Sequence, residues 1–115
     1  MFLVTAIVSV VLAAALAMSA GAKLTRKADV IASMHTVEVP DDKIPLLAYV
    51  EIAGAVGLIV GLFWWPIGVL AALGVIAYFV GAVGAHLRVS DRQIAPAAVL
   101  LIVAFVTLVV RIASA

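Results

Sequence analysis

Residues 2–22, FLVTAIVSVVLAAALAMSAGA, run for 21 positions without a charge. At ~1.5 Å per residue a helix of this length reaches roughly 31 Å, about one hydrocarbon thickness. Three more apolar stretches follow, at residues 46–64, 67–86 and 94–110. Of the 115 residues 68% are hydrophobic and 11% charged, against about 45–50% and about 25% in a soluble domain. A chain this small has no aqueous core large enough to hide so much apolar surface, so its solvent is lipid. The expected fold is all-α: one integral membrane domain over residues 1–115, a four-helix transmembrane bundle with a short amphipathic interfacial helix between the first and second spans.

The first span ends in AMSAGA, a small-x-small pattern like a signal-peptidase site. It has no positive n-region, and its apolar run is long for a signal sequence, so it reads as a retained helix. Residues 23–44 form a long polar link in which Val30, Ile31, Met34 and Val37 recur at helical spacing, the pattern of a helix lying on the membrane surface. The spans at 46–64 and 67–86 are joined across FWWP, which makes them antiparallel neighbours. Trp64 and Trp65 mark an interface there, and Pro66 suits a helix start. Pro96 sits in the first turn of the last span, where its missing N–H costs little.

Glu51 is the one acid inside these spans. It lies about seven residues into the second span, roughly 10 Å deep by helical rise. An ionisable group at that depth costs several kcal/mol unless it is paired, neutralised or hydrated. Gly54, Gly57 and Gly61 flank it, and small residues let helices approach closely in lipid. The third span offers Gly74, Ala77, Gly81 and Ala85 as a matching packing stripe. Residues equidistant from the FWWP reversal share a depth, which sets Glu51 level with 78–82. Tyr78 and His86, with Ser19 of the first span behind them, are the candidate hydrogen-bond partners. Glu51 therefore has two readings, a structural pin for helix packing and a ligand or proton site. Tyr78 and His86 carry the same choice, as a packing residue and an interfacial anchor. His35 reads as a solvated surface group and Arg111 as a side chain snorkelling to headgroups.

Several functions fall away. With no cysteine, disulfides and thiolate-ligated clusters are excluded. Two histidines, one on a link and one at a helix end, do not make a metal site. A net charge of +1 without a basic face argues against nucleic acid. No nucleophile–base pair is visible, so independent catalysis is not expected.

The chain resembles the DoxX-like family of small four-helix bacterial membrane proteins. The resemblance rests on Gly21-x-Lys23-Leu24 closing the first span and on a charged link ending in Pro. It continues with Glu51-x-x-Gly54-x-x-Gly57 in the second span and Ala85-His86-Leu87-Arg88 closing the third. It implies the bundle fold and a bacterial plasma (inner) membrane. Some relatives are described as the small membrane subunit of a thiosulfate:quinone oxidoreductase and others are linked to oxidative-stress membrane complexes. The expectation is an accessory or anchoring subunit of a quinone-linked redox complex, with quinone or bound lipid as the candidate occupant of a polar site around Glu51. Its partners would be the bilayer and either other membrane subunits or further copies of itself. Two other classes stand beside it. One is a non-catalytic scaffold or assembly protein. The other is a small proton-coupled exporter, in which family the acid belongs to the first helix, where this chain has none.

Six of the seven Lys and Arg residues, Lys23, Arg26, Lys27, Lys43, Arg88 and Arg92, fall on the first and third links; only Arg111 is on the other side. The positive-inside rule then sets both charged links in the cytoplasm and both termini outside. A C-terminal alkaline phosphatase fusion should be active, and a C-terminal green fluorescent protein fusion dark; the reverse pattern refutes this topology.

Overall fold

The computed structural model describes residues 1–89 and 94–115, so the part of the third link that carries Arg92 falls outside them. The helices are α1 (Phe2–Leu24), α2 (Ala28–Thr36), α3 (Ile44–Val60), α4 (Trp65–Arg88) and α5 (Ala95–Ala113), with a single 3-10 turn at Asp41–Lys43. α1, α4 and α5, and α3 together with the turn before it, are each long and apolar enough to cross a membrane. They close into a ring, with α1 and α4 each packed between α3 and α5. The long axis of the bundle is 40 Å, matching a bilayer with its interfacial regions at about 40–45 Å.

Each long helix buries one narrow stripe. On α1 it is Thr5, Ser9, Leu12, Leu16, Ala20 and Lys23, and on α3 it is Ile44, Ala48, Glu51, Ala55 and Leu58. Steps of three and four keep such residues on one face. The remaining faces carry exposed Leu3, Ile7, Met18, Val56, Leu70 and Ile102, as a lipid-facing surface should. The helices also differ from the apolar stretches at their ends. α1 runs on to Leu24, which brings Lys23 inside the helix. α3 begins at Ile44 and stops at Val60, because the chain turns over residues 61–64 before α4 starts at Trp65.

α2 lies across the end of the bundle that carries the charged links. Both chain reversals beside it use a non-glycine residue at positive φ, Arg26 at 55° and Glu38 at 65°. Each sits in the paired backbone bonding of a Schellman cap: Lys27 and Arg26 donate to the carbonyls of Ala22 and Lys23, and Val39 and Glu38 to those of Met34 and His35. Such a conformation costs a side-chain-bearing residue about 1–2 kcal/mol. Ion pairs accompany both caps, Arg26 with Asp41 at 3.3 Å and Glu38 with Arg88 at 3.0 Å. The second also shows that the first link and the end of α4 share one side of the bundle. His35 is exposed and pairs with Asp41 at 2.7 Å.

A separate polar clamp holds the opposite end. The Thr5 hydroxyl lies 3.0 Å from the Val110 carbonyl and 2.8 Å from the Ser114 hydroxyl, tying α1 to α5. Arg111 does not snorkel. It is 6% exposed, its aliphatic stem packs against Gly68, and its guanidinium sits 5.5 Å from the Phe2 ring centroid. The absence of a Cβ at Gly68 makes room for that stem, and the aromatic face supplies a cation–π contact.

α3 and α4 form a hairpin closed at one end and open at the other. At the closed end a Cβ on Gly61 would run into the backbone of Gly68, and one on Gly57 would stand 2.9 Å from the Ala71 Cβ. Further along, a Cβ on Gly54 would meet Val75 at 3.0 Å. Gly74 and Gly81 make no such contact within the chain: among the described residues a Cβ on either meets nothing within 4 Å. Both are exposed and border clefts between α3 and α4, so the expected matching stripe faces open space within this chain. Gly61→Ala should therefore destabilise the bundle by about 3 kcal/mol, the upper end of overpacking. Gly74→Ala should be neutral or gain up to ~1 kcal/mol of helix propensity. Thermal unfolding in one detergent compares the two, and equal effects would contradict this hairpin geometry.

Candidate functional site

The clefts between α3 and α4 leave the interior near Glu51 incompletely filled. Glu51 is 2% exposed and Lys23 6%. The Lys23 Nζ donates to Glu51 Oε1 at 2.7 Å and to the Ser19 hydroxyl at 2.9 Å. Ser19 and Lys23 lie one turn apart on α1, and Glu51 faces them from α3. Of the two hydrogen-bond candidates that helix depth suggested, Tyr78 interacts with the Glu51 carboxylate through its side chain and His86 lines the same cavity. The ion-pair partner of Glu51 is Lys23, which helix depth did not suggest. The reason is reach. Lys23 sits at the last turn of α1, and its four-carbon stem carries the ammonium back into the bundle.

The second carboxylate oxygen, Glu51 Oε2, is buried and makes no hydrogen bond among the described residues. Lys23 and Glu51 line a cavity of about 410 Å³ together with Tyr78 and His86 of α4 and Ser33 and Met34 of α2. Val30 and Asp29 of α2 complete its roof, and Pro96, Ala97 and Leu100 of α5 its far wall. His86 is 8% exposed, so it is a wall residue and not a surface anchor. Tyr78 is half-buried, with its ring edge-on to Phe79 at 5.0 Å. The register set by Gly61 opposite Gly68 and Gly54 opposite Val75 brings Tyr78 level with Glu51. Ser19, Glu51, Tyr78 and His86 are all brought to this one cavity. Lys23 is the residue that sequence reasoning missed. Its signal was the stripe of buried α1 positions, which extends one step beyond the last apolar residue.

The electrostatics are those of a nearly dry ion pair. An ammonium has three donors and a carboxylate two acceptor oxygens. Two of the Lys23 donors are engaged within the protein and Glu51 Oε2 accepts no hydrogen bond among the described residues, so the pair is neutral but not saturated. A ligand presenting one acceptor and one donor could complete it. Among the described residues no group of three or more His, Asp or Glu is arranged to hold a metal.

Removing one partner would strand the other charge. Glu51→Leu and Lys23→Met should each lower stability by about 3–5 kcal/mol, the usual cost of breaking a buried pair. The double variant Lys23→Met/Glu51→Leu should recover most of that loss, because apolar replacement of a whole buried pair is often neutral. Melting temperatures of the four proteins in detergent measure the coupling; additive losses would contradict a direct pair.

Comparison with known families matches residues 7–109 to the DoxX-like family. No curated protein and no solved structure matches the chain. The match takes in α3 and α4 entire, most of α1 and α5, and the Lys23–Glu51 site, and the chain belongs to the DoxX-like family.

Proposed function

We propose that this DoxX-like membrane protein is an accessory or anchoring subunit of a quinone-linked redox complex in the bacterial plasma membrane. Both termini face outward, and the site around Glu51 holds the head of a quinone. The observation that carries this reading is the unsaturated Lys23–Glu51 pair in the wall of a 410 Å³ cavity.

The residues present fit such a head group. A quinone carbonyl accepts a hydrogen bond, which the third Lys23 donor or the Tyr78 hydroxyl can supply. A quinol hydroxyl donates one, which Glu51 Oε2 can accept. The site thus has a partner for either redox form, with polar groups at Lys23, Glu51, Tyr78 and His86 and apolar wall at Val30, Met34, Phe79 and Leu100, the mixture that small-molecule sites generally present. A bound quinone supplies two-electron, two-proton chemistry; the protein binds the head, orients it, and holds protonatable groups against it. Since the chain has no cysteine, any thiolate-ligated cluster that delivers electrons belongs to a partner subunit.

Purification from native membranes in mild detergent, followed by mass spectrometry of bound lipids and proteins, tests the proposal. Quinone should co-purify near one per chain, together with a redox subunit, and fall at least tenfold in Lys23→Met/Glu51→Leu. Quinone at no more than its bulk membrane ratio would overturn the reading. Partner proteins without quinone would favour the scaffold class instead.

A further inference from the structure

Two apolar clefts adjoin the polar cavity on its α3–α4 side. One, of about 250 Å³, runs toward the closed end of the hairpin between Val50, Ala53 and Gly54 of α3 and Ala71, Gly74 and Val75 of α4; Glu51 and Tyr78 form its polar corner. The other, of about 330 Å³, runs toward the charged-link end past Ala77, Gly81, Ala85 and His86 of α4, with Leu47 opposite and Met34 above. Tyr78 lines both clefts and the central cavity. From Ala71 to Ala85 the two clefts together follow α4 for roughly 21 Å by helical rise. Their rims are lipid-facing: Val50, Ala53, Gly74, Ala77 and Gly81 are all exposed.

We infer that the gap between α3 and α4 is a lateral portal and tail groove, through which the hydrocarbon chain of an isoprenoid quinone leaves the bundle for the bilayer while its head rests at Lys23 and Glu51. This rests on the head-group reading above and extends it to how the ligand reaches the site and which ligands qualify. Two independent observations converge on the groove. Gly74 and Gly81 have open space where a Cβ would stand, although glycine is a poor helix residue and neither is needed for helix contact. And Glu51, 98% buried by its 2% exposure, borders one of the clefts with a carboxylate oxygen that accepts no hydrogen bond among the described residues. A polar end joined to a long apolar slot open to lipid fits an amphiphile with a compact head and a single long hydrocarbon tail. A water-soluble solute would leave the slot empty, and a phospholipid would set a charged phosphate against the apolar rim. Tyr78 stands where head meets tail, so its ring must turn or shift as a ligand passes.

The test fills the groove without disturbing the fold. Gly74→Leu and Gly81→Leu add side chains where the structure has room, and melting temperatures in detergent should stay at or above that of the wild type. Binding of a tailless benzoquinone and of a long-chain isoprenoid quinone is then measured by titration in one detergent. Comparing variant with wild type for each ligand cancels partitioning into micelles. The long-chain ligand should lose at least tenfold in affinity in the variants, while the tailless one changes less than twofold. Equal affinities for the long-chain ligand in variants and wild type would overturn the groove and leave the head site standing. Equal losses for both ligands would show that the glycines act on the head cavity and would also overturn the groove. Failure of the wild type to bind either ligand would overturn the head site and the groove together.

Discussion

A single buried ion pair organises this bundle. Lys23 and Glu51 meet at 2.7 Å where each is almost fully withdrawn from solvent. Neither would be tolerated alone at that depth. Their meeting fixes α1 against α3, and it does so in one register, because a one-residue shift would turn either group toward lipid. Apolar packing has little power to choose between registers in lipid, since a leucine gains little by leaving acyl chains for another leucine. The polar contacts therefore set the alignment. Lys23, Ser19 and Glu51 do this at one end, and Thr5, Val110, Ser114 and Arg111 at the other.

Between these ends the contact between α3 and α4 is made by absence of side chain. Where Gly61 faces Gly68 the backbones nearly touch, and where Gly74 and Gly81 stand nothing touches. The same residue type thus marks the backbone contact and the open clefts of one hairpin. The site opens to lipid through those clefts. Were the hairpin closed along its whole length, the cavity beside Glu51 would be cut off from the lipid-facing clefts.

Much of this was legible in the chain. Four runs of about 17–21 apolar residues leave a bundle as the only economical fold. Val30 and Met34 announce a helix on the surface, and they line the cavities beneath α2. The depth of Glu51 and its level with Tyr78 follow from helical rise and the position of the reversal. Three features were hidden. Lys23 looks like the first residue of a polar link, and only its phase relative to Leu12, Leu16 and Ala20 reveals that it faces inward. Gly74 and Gly81 fit a packing stripe equally well by spacing, because spacing fixes the face of a helix and says nothing about how far away the neighbour is. Arg111 looks like an interfacial anchor, and its inward turn depends on a glycine 43 positions earlier in the chain, at Gly68.

The pairing of α1 with α3 also bears on how the chain enters the membrane. Synthesis proceeds from the N-terminus, so Lys23 reaches the bilayer while Glu51 is still in the ribosome. An acid near the middle of a span raises the cost of insertion by about 2.5–3.5 kcal/mol on the translocon scale. Here a counter-charge is already waiting at the end of α1 when α3 arrives. The order of synthesis thus places the partner of Glu51 at the membrane before the second span arrives, where it can offset part of that cost.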